Sequence, residues 1–226
     1  EDDAEVRRVS IANNGTRVRE IEITSYAELV LAPQASDIAH PAFSKLFVQT
    51  EFLADVGAIV ATRRKRAPND PEIWAAHLAV VDQHAMSQIE IETDRARFLG
   101  RSHGVRNPIT MMDGRKLTNT VGTVLDPIFA LRRRVLIAPG GVVHVAYWTM
   151  LASSRAALLD QIDKHKDATA FGRATTLAWT QAQVQLYHLD ITPSQASLFQ
   201  SLAGHVIYAA PALRSHSDAI LRGGGA

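Results

Sequence analysis

Apolar and polar residues alternate at both ends of the stretch RVSIANNGTRVREIEIT, with Val9 and Ile11 on one side and Ile21 and Ile23 on the other. A period of two is the pattern of a strand with one face buried. Asn14-Gly15 lies between the two runs, and both residues tolerate positive φ, so the stretch predicts a two-stranded hairpin. Residues 26–31 are more continuously apolar, which predicts a strand covered on both faces. A long connection with two prolines follows, and it ends in HPAFSKLF, too apolar for an ordinary surface loop and too short for a helix stable on its own. Further strands are predicted at 58–62, 74–81, 89–94, 121–125, 128–136 and 142–150. Turn residues in APNDP, DGRK and APGG separate them. Many strands with little helical periodicity predict a mainly β fold, an antiparallel β-sandwich over residues 1–152.

The period changes at Ser153. In SSRAALLDQIDKHKD the serines suit an N-cap, and Ala157, Leu158 and Ile162 fall at helical spacing. Residues 168–189 carry Phe171, Ala174, Ala178 and Ala182 on one stripe, a second helix. Thr192-Pro193-Ser194-Gln195 predicts a third, to about Tyr208: Thr with Gln three positions on is a capping box, and Pro suits the first helical position. Residues 153–226 therefore read as a helical segment.

Composition narrows the function. With 226 residues and 46% apolar content the chain can build a real core, and a net charge of +1 lacks the basic excess of a dedicated nucleic-acid binder. Without cysteine there is neither a disulfide framework nor a thiolate zinc site. No apolar run approaches the roughly 18 residues that span a bilayer. The start, EDDAEVRR, is not a signal peptide, and LRGGGA at the other end has a linker's composition. Both ends predict a piece of a longer polypeptide.

Nine histidines give no His-Glu-x-x-His pattern, and neither a Gly-x-Ser-x-Gly elbow nor a phosphate-cradling glycine loop occurs. Glu90, Glu92 and Asp94 share one face of a predicted strand. Carboxylate pairs serve glycosidases, but simple alternation reads more naturally as a solvated face. Of the basic runs Arg63 to Arg66 and Arg132 to Arg134, the first opens a turn and reads as solvated, and either suits a phosphate or an acidic partner. Trp74, Trp148 and Tyr147 are candidates for stacking on sugar rings, with core packing the commoner role. These residues assemble no catalytic site.

The stretches TSYAE at 24–28, HPAFSKLF at 40–47 and ETDRARFLGR at 92–101 resemble a known family. So do GTVLDPIFALRRRV at 122–135 and LAWTQAQVQLYHLDITPSQASLFQSLAGHVIY at 177–208. The sequence is similar to the phosphorylase-like C-terminal part of bacterial cyclic β-(1→2)-glucan synthases, within the cellobiose-phosphorylase family of inverting glycoside phosphorylases. The resemblance implies a β-sandwich joined by linker helices to an (α/α)6 barrel that carries the catalytic aspartate and the phosphate site. This chain corresponds to the later part of the sandwich and the linker. The early strands and the barrel have no counterpart in it, so no catalytic residue carries over.

The implied role is a non-catalytic sandwich-and-linker fragment that needs no cofactor itself, within a parent that uses inorganic phosphate and UDP-glucose. Implied partners are a β-glucan or oligosaccharide, the barrel of the same polypeptide, and in one alternative a second copy. The implied location is the bacterial cytoplasmic side, with the parent in the inner membrane. HPAFSKLF then reads as a docking segment: Phe43, Leu46 and Phe47 bury against a neighbour while His40 or Lys45 reaches a sugar or phosphate. Alternatively it is a helical turn capping the sandwich's own core. With Trp74 and Trp148, the residues His40, Phe43 and Lys45 are the substrate-contact or docking candidates. A part of a soluble oligosaccharide phosphorylase and an autonomous carbohydrate-binding module remain as alternative readings.

Overall fold

The structure is a computed structural model that describes residues 2–82, 88–208 and 214–222. Two antiparallel sheets face one another. The five-stranded sheet has the order β1-β9-β6-β5-β4, from β1 (Ala4–Ala12), β9 (Val142–Ala152), β6 (Trp74–Val81), β5 (Ala58–Arg63) and β4 (Val48–Leu53). The other is built on β8 (Pro127–Ile137), flanked by β2 (Arg19–Thr24) and β3 (Ala27–Glu28) along one edge and by β7 (Glu90–Asp94) along the other. The β-sandwich expected from the alternation is thus present, followed by helices.

The expected hairpin at Asn14-Gly15 does not form. β1 pairs with β9 from Ala4↔Met150 to Ala12↔Val142, whereas β2 pairs with β8 from Arg19↔Ile137 to Thr24↔Arg132. The chain changes sheets here, and it does so again between β8 and β9, beside the same place. Asn13 fixes the crossing. Its Nδ2 donates to the Arg17 and Ile137 carbonyls, both at 2.8 Å. Its backbone N–H donates to Gly141 O at 2.9 Å, and its carbonyl accepts from Gly140 N at 2.9 Å. Neither Asn14 nor Gly15 takes the positive φ that a primed turn requires; Gly140, at φ 72°, does. The local signal lost to pairing partners distant in sequence.

Three other expectations change. Residues 26–31 give only the short β3, with Leu29 buried and Glu28 exposed. Residues 121–125 hold a single bridge, Thr50↔Gly122, and Val121 and Leu125 point outward. The strand β4 was not anticipated: Val48 and Thr50 are buried and Gln49 and Glu51 exposed, an alternation hidden behind the apolar HPAFSKLF.

The core between the sheets is formed by Phe129, Leu131, Val135 and Ile137 of β8 against residues such as Ile59, Ala75, Val145 and Tyr147. The outer face of β8 is covered as well. Phe98, Leu99 and Leu117 pack on Ile128 and Ala130, brought there by α3 (Arg95–Leu99) and the segment after it. Asp94 caps α3, its Oδ1 accepting from Ala96 N at 2.9 Å. Gly100 ends α3 at φ 80°, where a Cβ would lie 2.6 Å from the Ile109 side chain, in α4 (Ile109–Met112).

That cover overturns the solvated-face reading of Glu90, Glu92 and Asp94. Glu92 is 0% exposed. Its carboxylate accepts from the backbone N–H of Thr93 and Asp94, both at 3.0 Å, from Thr118 N at 3.3 Å, and from the Thr118 hydroxyl. Glu90 accepts from Leu117 N at 3.0 Å and lies 3.5 Å from Arg132 Nη1. Arg132 is buried in turn, with Nη1 donating to the Arg115 carbonyl and Nη2 to the Thr110 carbonyl, each at 2.8 Å. Alternation reports a face; it does not report what later folds over that face.

The helix α5 (Arg155–His165) covers the outer face of the five-stranded sheet with Leu158, Ile162 and His165. Ser154 is its N-cap, accepting from Ala157 N at 3.2 Å. Compact units span Glu1–Phe171 and Gly172–Ala226. The helix α6 (Ala170–His188) runs through the boundary between them, and α7 (Pro193–Ile207) begins with the expected capping box of Thr192 and Gln195. The last helix is α8 (Ser217–Arg222). The final residues of LRGGGA, 223–226, lie outside the described residues.

Candidate functional site

HPAFSKLF folds as a short helix, α2 (Pro41–Lys45), directly after α1 (Gln34–Ala39). His40 is the joint. A residue before proline disfavours the helical region, which stops α1, and Pro41 then occupies the first position of α2. His40 N–H donates to the Ser36 carbonyl at 3.1 Å, and the His40 carbonyl accepts from Ser44 N at 2.9 Å. The imidazole is exposed.

On one side of α2, Lys45 Nζ meets Asp126 Oδ1 at 2.7 Å. Asp126 is 3.4 Å from Arg95 Nη1, and Arg95 Nε lies 3.0 Å from Glu28 Oε1. The Tyr26 hydroxyl closes the group, donating to Glu28 at 2.8 Å and accepting from Arg95 Nε at 3.1 Å, while its ring stacks on Phe98. Burial pushes the Tyr26 phenol up to about 12, helped by the neighbouring Glu28 carboxylate and opposed by Arg95. The phenol is therefore a fixed hydrogen-bond relay at neutral pH. The members of this group come from four of the quoted motifs, Tyr26 and Glu28 both from the first: TSYAE, HPAFSKLF, ETDRARFLGR and GTVLDP converge on one end of the sandwich.

On the other side, Phe43 and Phe47 sit edge to face at 5.3 Å. The Arg66 guanidinium lies 5.1 Å from the Phe43 centroid and 5.3 Å from that of Phe47; Arg63 and Arg64 lie 5.3 and 5.9 Å from Phe47. These are cation–π distances. Arg63 Nη1 also donates to the Ser44 carbonyl at 2.5 Å. Burial, then the nearby Arg66 charge, lowers the Arg63 pKa. Arg63, Arg64 and Arg66 thus lie against aromatic rings, while Arg64, Lys65 and Arg66 stay exposed, in keeping with the solvated reading of the run. The i, i+4 spacing of Phe43 and Phe47 was the available sequence signal. Phe43 remains 49% exposed and Leu46 38%.

The tryptophans separate. Trp148 is 2% exposed and stacks on His165 at 4.3 Å beneath α5, so core packing holds for it and no sugar reaches it from solvent. Trp74 is half-buried, with its indole N–H donating to Glu72 at 2.6 Å. Of the residues named from sequence, α2 brings His40, Phe43 and Lys45 together; Trp74 and Trp148 are not part of that cluster. Tyr26, Glu28, Arg95 and Asp126 were missed as individuals, although the motifs contained them.

A sandwich whose exposed cluster is carried by loops and a short helix defines a class of domain. Residues 1–168 match the supersandwich domain of glycosyl hydrolase family 94, and the chain belongs to that family. Over 223 residues, 99% of this chain, it is 40% identical to the cyclic beta-(1,2)-glucan synthase NdvB of Rhizobium meliloti (strain 1021). The chain spans 8% of that relative's length. Among the described residues no helix is long and apolar enough to cross a membrane.

Proposed function

We propose that this chain is the non-catalytic sandwich-and-linker portion of a cyclic β-(1→2)-glucan synthase, and that it positions the phosphorylase-like barrel and contacts glucan at α2. The relative's identity supports the parent enzyme. The convergence of four motifs on Lys45, Asp126, Arg95 and Glu28, beside a half-exposed Phe43, supports α2 as the working surface. In this reading the parent consumes UDP-glucose and inorganic phosphate, and it lies in the inner membrane with this portion on the cytoplasmic side. The (α/α)6 barrel of the same polypeptide is the neighbour of α2.

Phe43→Ala in the full-length enzyme tests the role. An intact melting temperature with a several-fold rise in KM for glucan is expected. Insolubility without a kinetic change would place Phe43 in the core and refute the contact. The 226-residue chain alone is expected to be inactive. Phosphate-dependent release of glucose 1-phosphate from β-(1→2)-glucan by the purified chain would refute that.

A further inference from the structure

A cleft of 780 Å³ opens between the start of α1 and the loop joining β5 to β6. Its volume lies within the range of about 300–1,000 Å³ usual for small-ligand clefts. One wall is the basic run Arg63, Arg64, Lys65 and Arg66; another is apolar, from Leu31, Pro33 and Leu151. Three acids share the lining: Asp3, Asp70 and Glu72. Two of them are committed within the loop. Asp70 accepts the N–H of Arg66 at 2.8 Å and of Ala67 at 3.0 Å, which holds its pKa down, and Glu72 accepts from Trp74 and lies 3.8 Å from Lys65. Among the described residues no carboxylate reaches the guanidinium of Arg63, Arg64 or Arg66 at ion-pair distance.

The aromatic cluster explains how three such groups are held together. A guanidinium seated on a ring face keeps its N–H edges directed elsewhere, and that planar fork matches a phosphoryl oxygen pair. Arg63 spends one edge on Ser44, which leaves Arg64 and Arg66 as the donors. A polyanion such as an acidic peptide would meet the three carboxylates of the same lining. A single phosphoryl group on a polyhydroxylated ring would not: its hydroxyls donate to those carboxylates, and its C–H face packs on the apolar wall.

We propose that this cleft binds a phosphorylated saccharide, with Arg64 and Arg66 on the phosphoryl group and Leu31, Pro33 and Leu151 against the ring. The site goes beyond the scaffold role and stands or falls without it. Isothermal titration of the whole chain with glucose 1-phosphate, glucose, inorganic phosphate and a poly-glutamate peptide tests it. Glucose 1-phosphate is expected to bind in the submillimolar range and to weaken with added salt. Arg64→Ala and Arg66→Ala should each weaken it by about tenfold, in keeping with loss of a charge-assisted hydrogen bond. Arg64→Lys, which keeps the charge but not the fork, should fall between. Melting temperatures check each variant's fold; should Arg66→Ala disturb the Phe43 packing, the Arg64 pair decides. No heat at millimolar sugar phosphate overturns the proposal, as does equal binding by glucose, by inorganic phosphate or by the peptide, or unchanged affinity in Arg64→Ala.

Discussion

His77 offers a quantitative test of the sandwich interior. It lies on β6 between the sheets, its ring stacked near-parallel to Phe129 at 5.6 Å and Tyr147 at 5.9 Å. Its Nε2 is 2.8 Å from Ser25 Oγ, at the end of β2, and its Nδ1 is 3.0 Å from Thr149 Oγ1 on β9. The ring therefore ties the two sheets together through neutral hydrogen bonds. Burial pushes its pKa down from 6.5 to about 4, opposed by a hydrogen bond that the ring donates to the Trp148 backbone. A depressed base stabilises the fold only while it is neutral in both states. As pH falls below about 6.5 the unfolded chain takes up a proton that the folded chain refuses, and stability drops until the folded pKa is passed. Linkage puts the loss at about 1 kcal/mol by pH 6, about 2 by pH 5 and about 3 near pH 4, relative to pH 8. Urea unfolding followed by near-ultraviolet circular dichroism across pH 8 to 4 measures it. His77→Gln provides the control, since glutamine keeps polar atoms near Ser25 and Thr149 without a titration in this window. The difference between the two proteins isolates this group from the carboxylates, among them Asp2, whose pKa is lowered by Lys164 and His165. Parallel pH profiles for the two proteins would refute the argument.

Other substitutions separate the layers of the fold. Glu92→Gln removes the charge that gathers three backbone N–H groups and one hydroxyl, and should cost about 2–3 kcal/mol in urea unfolding; a neutral result would contradict the buried network. Leu158→Ala, at a fully buried position of α5, should cost about 2–5 kcal/mol by the same assay. Thr192→Ala breaks the capping box of α7 and should lower helix stability by about 1 kcal/mol, read as reduced far-ultraviolet helical signal on heating, with the near-ultraviolet signal of the sandwich unaffected.

Where pairing depends on one face being apolar, the strands were legible: β6 falls on its expected residues, and β5, β7, β8 and β9 within two positions of theirs. Two kinds of information were not in the local pattern. The first is which strand a strand meets. Asn14-Gly15 carries the composition of a hairpin turn, yet Asn13 ties that loop to the β8–β9 connection more than 120 positions away. The second is what covers a polar face. Glu90 and Glu92 look solvated because the groups that satisfy them, Leu117 N and Thr118, belong to a segment without strong periodicity, as do the Thr110 and Arg115 carbonyls that hold Arg132. For the candidate site the motifs named the right segments, while the ion network joining them needed three dimensions.

The two polar networks of the sandwich differ in burial, and that difference assigns them different work. Glu92 and Arg132 are sealed, so removing either leaves unpaired groups inside the protein and is paid in stability. The α2 network is open: the Arg95, Glu28 and Asp126 side chains are each about a third or more exposed. Ion pairs that water can reach contribute roughly 0–1 kcal/mol. Lys45, at 15%, is the best covered member, and its pairing with Asp126 sets the position of α2 more than it stabilises the fold. Substitutions at Glu28, Arg95 or Asp126 should therefore leave the midpoint of unfolding within about 1 kcal/mol of the parent. In the full-length enzyme the same substitutions should change KM for glucan. If they instead unfold the sandwich, α2 is a cap on the core and its exposed face carries no contact.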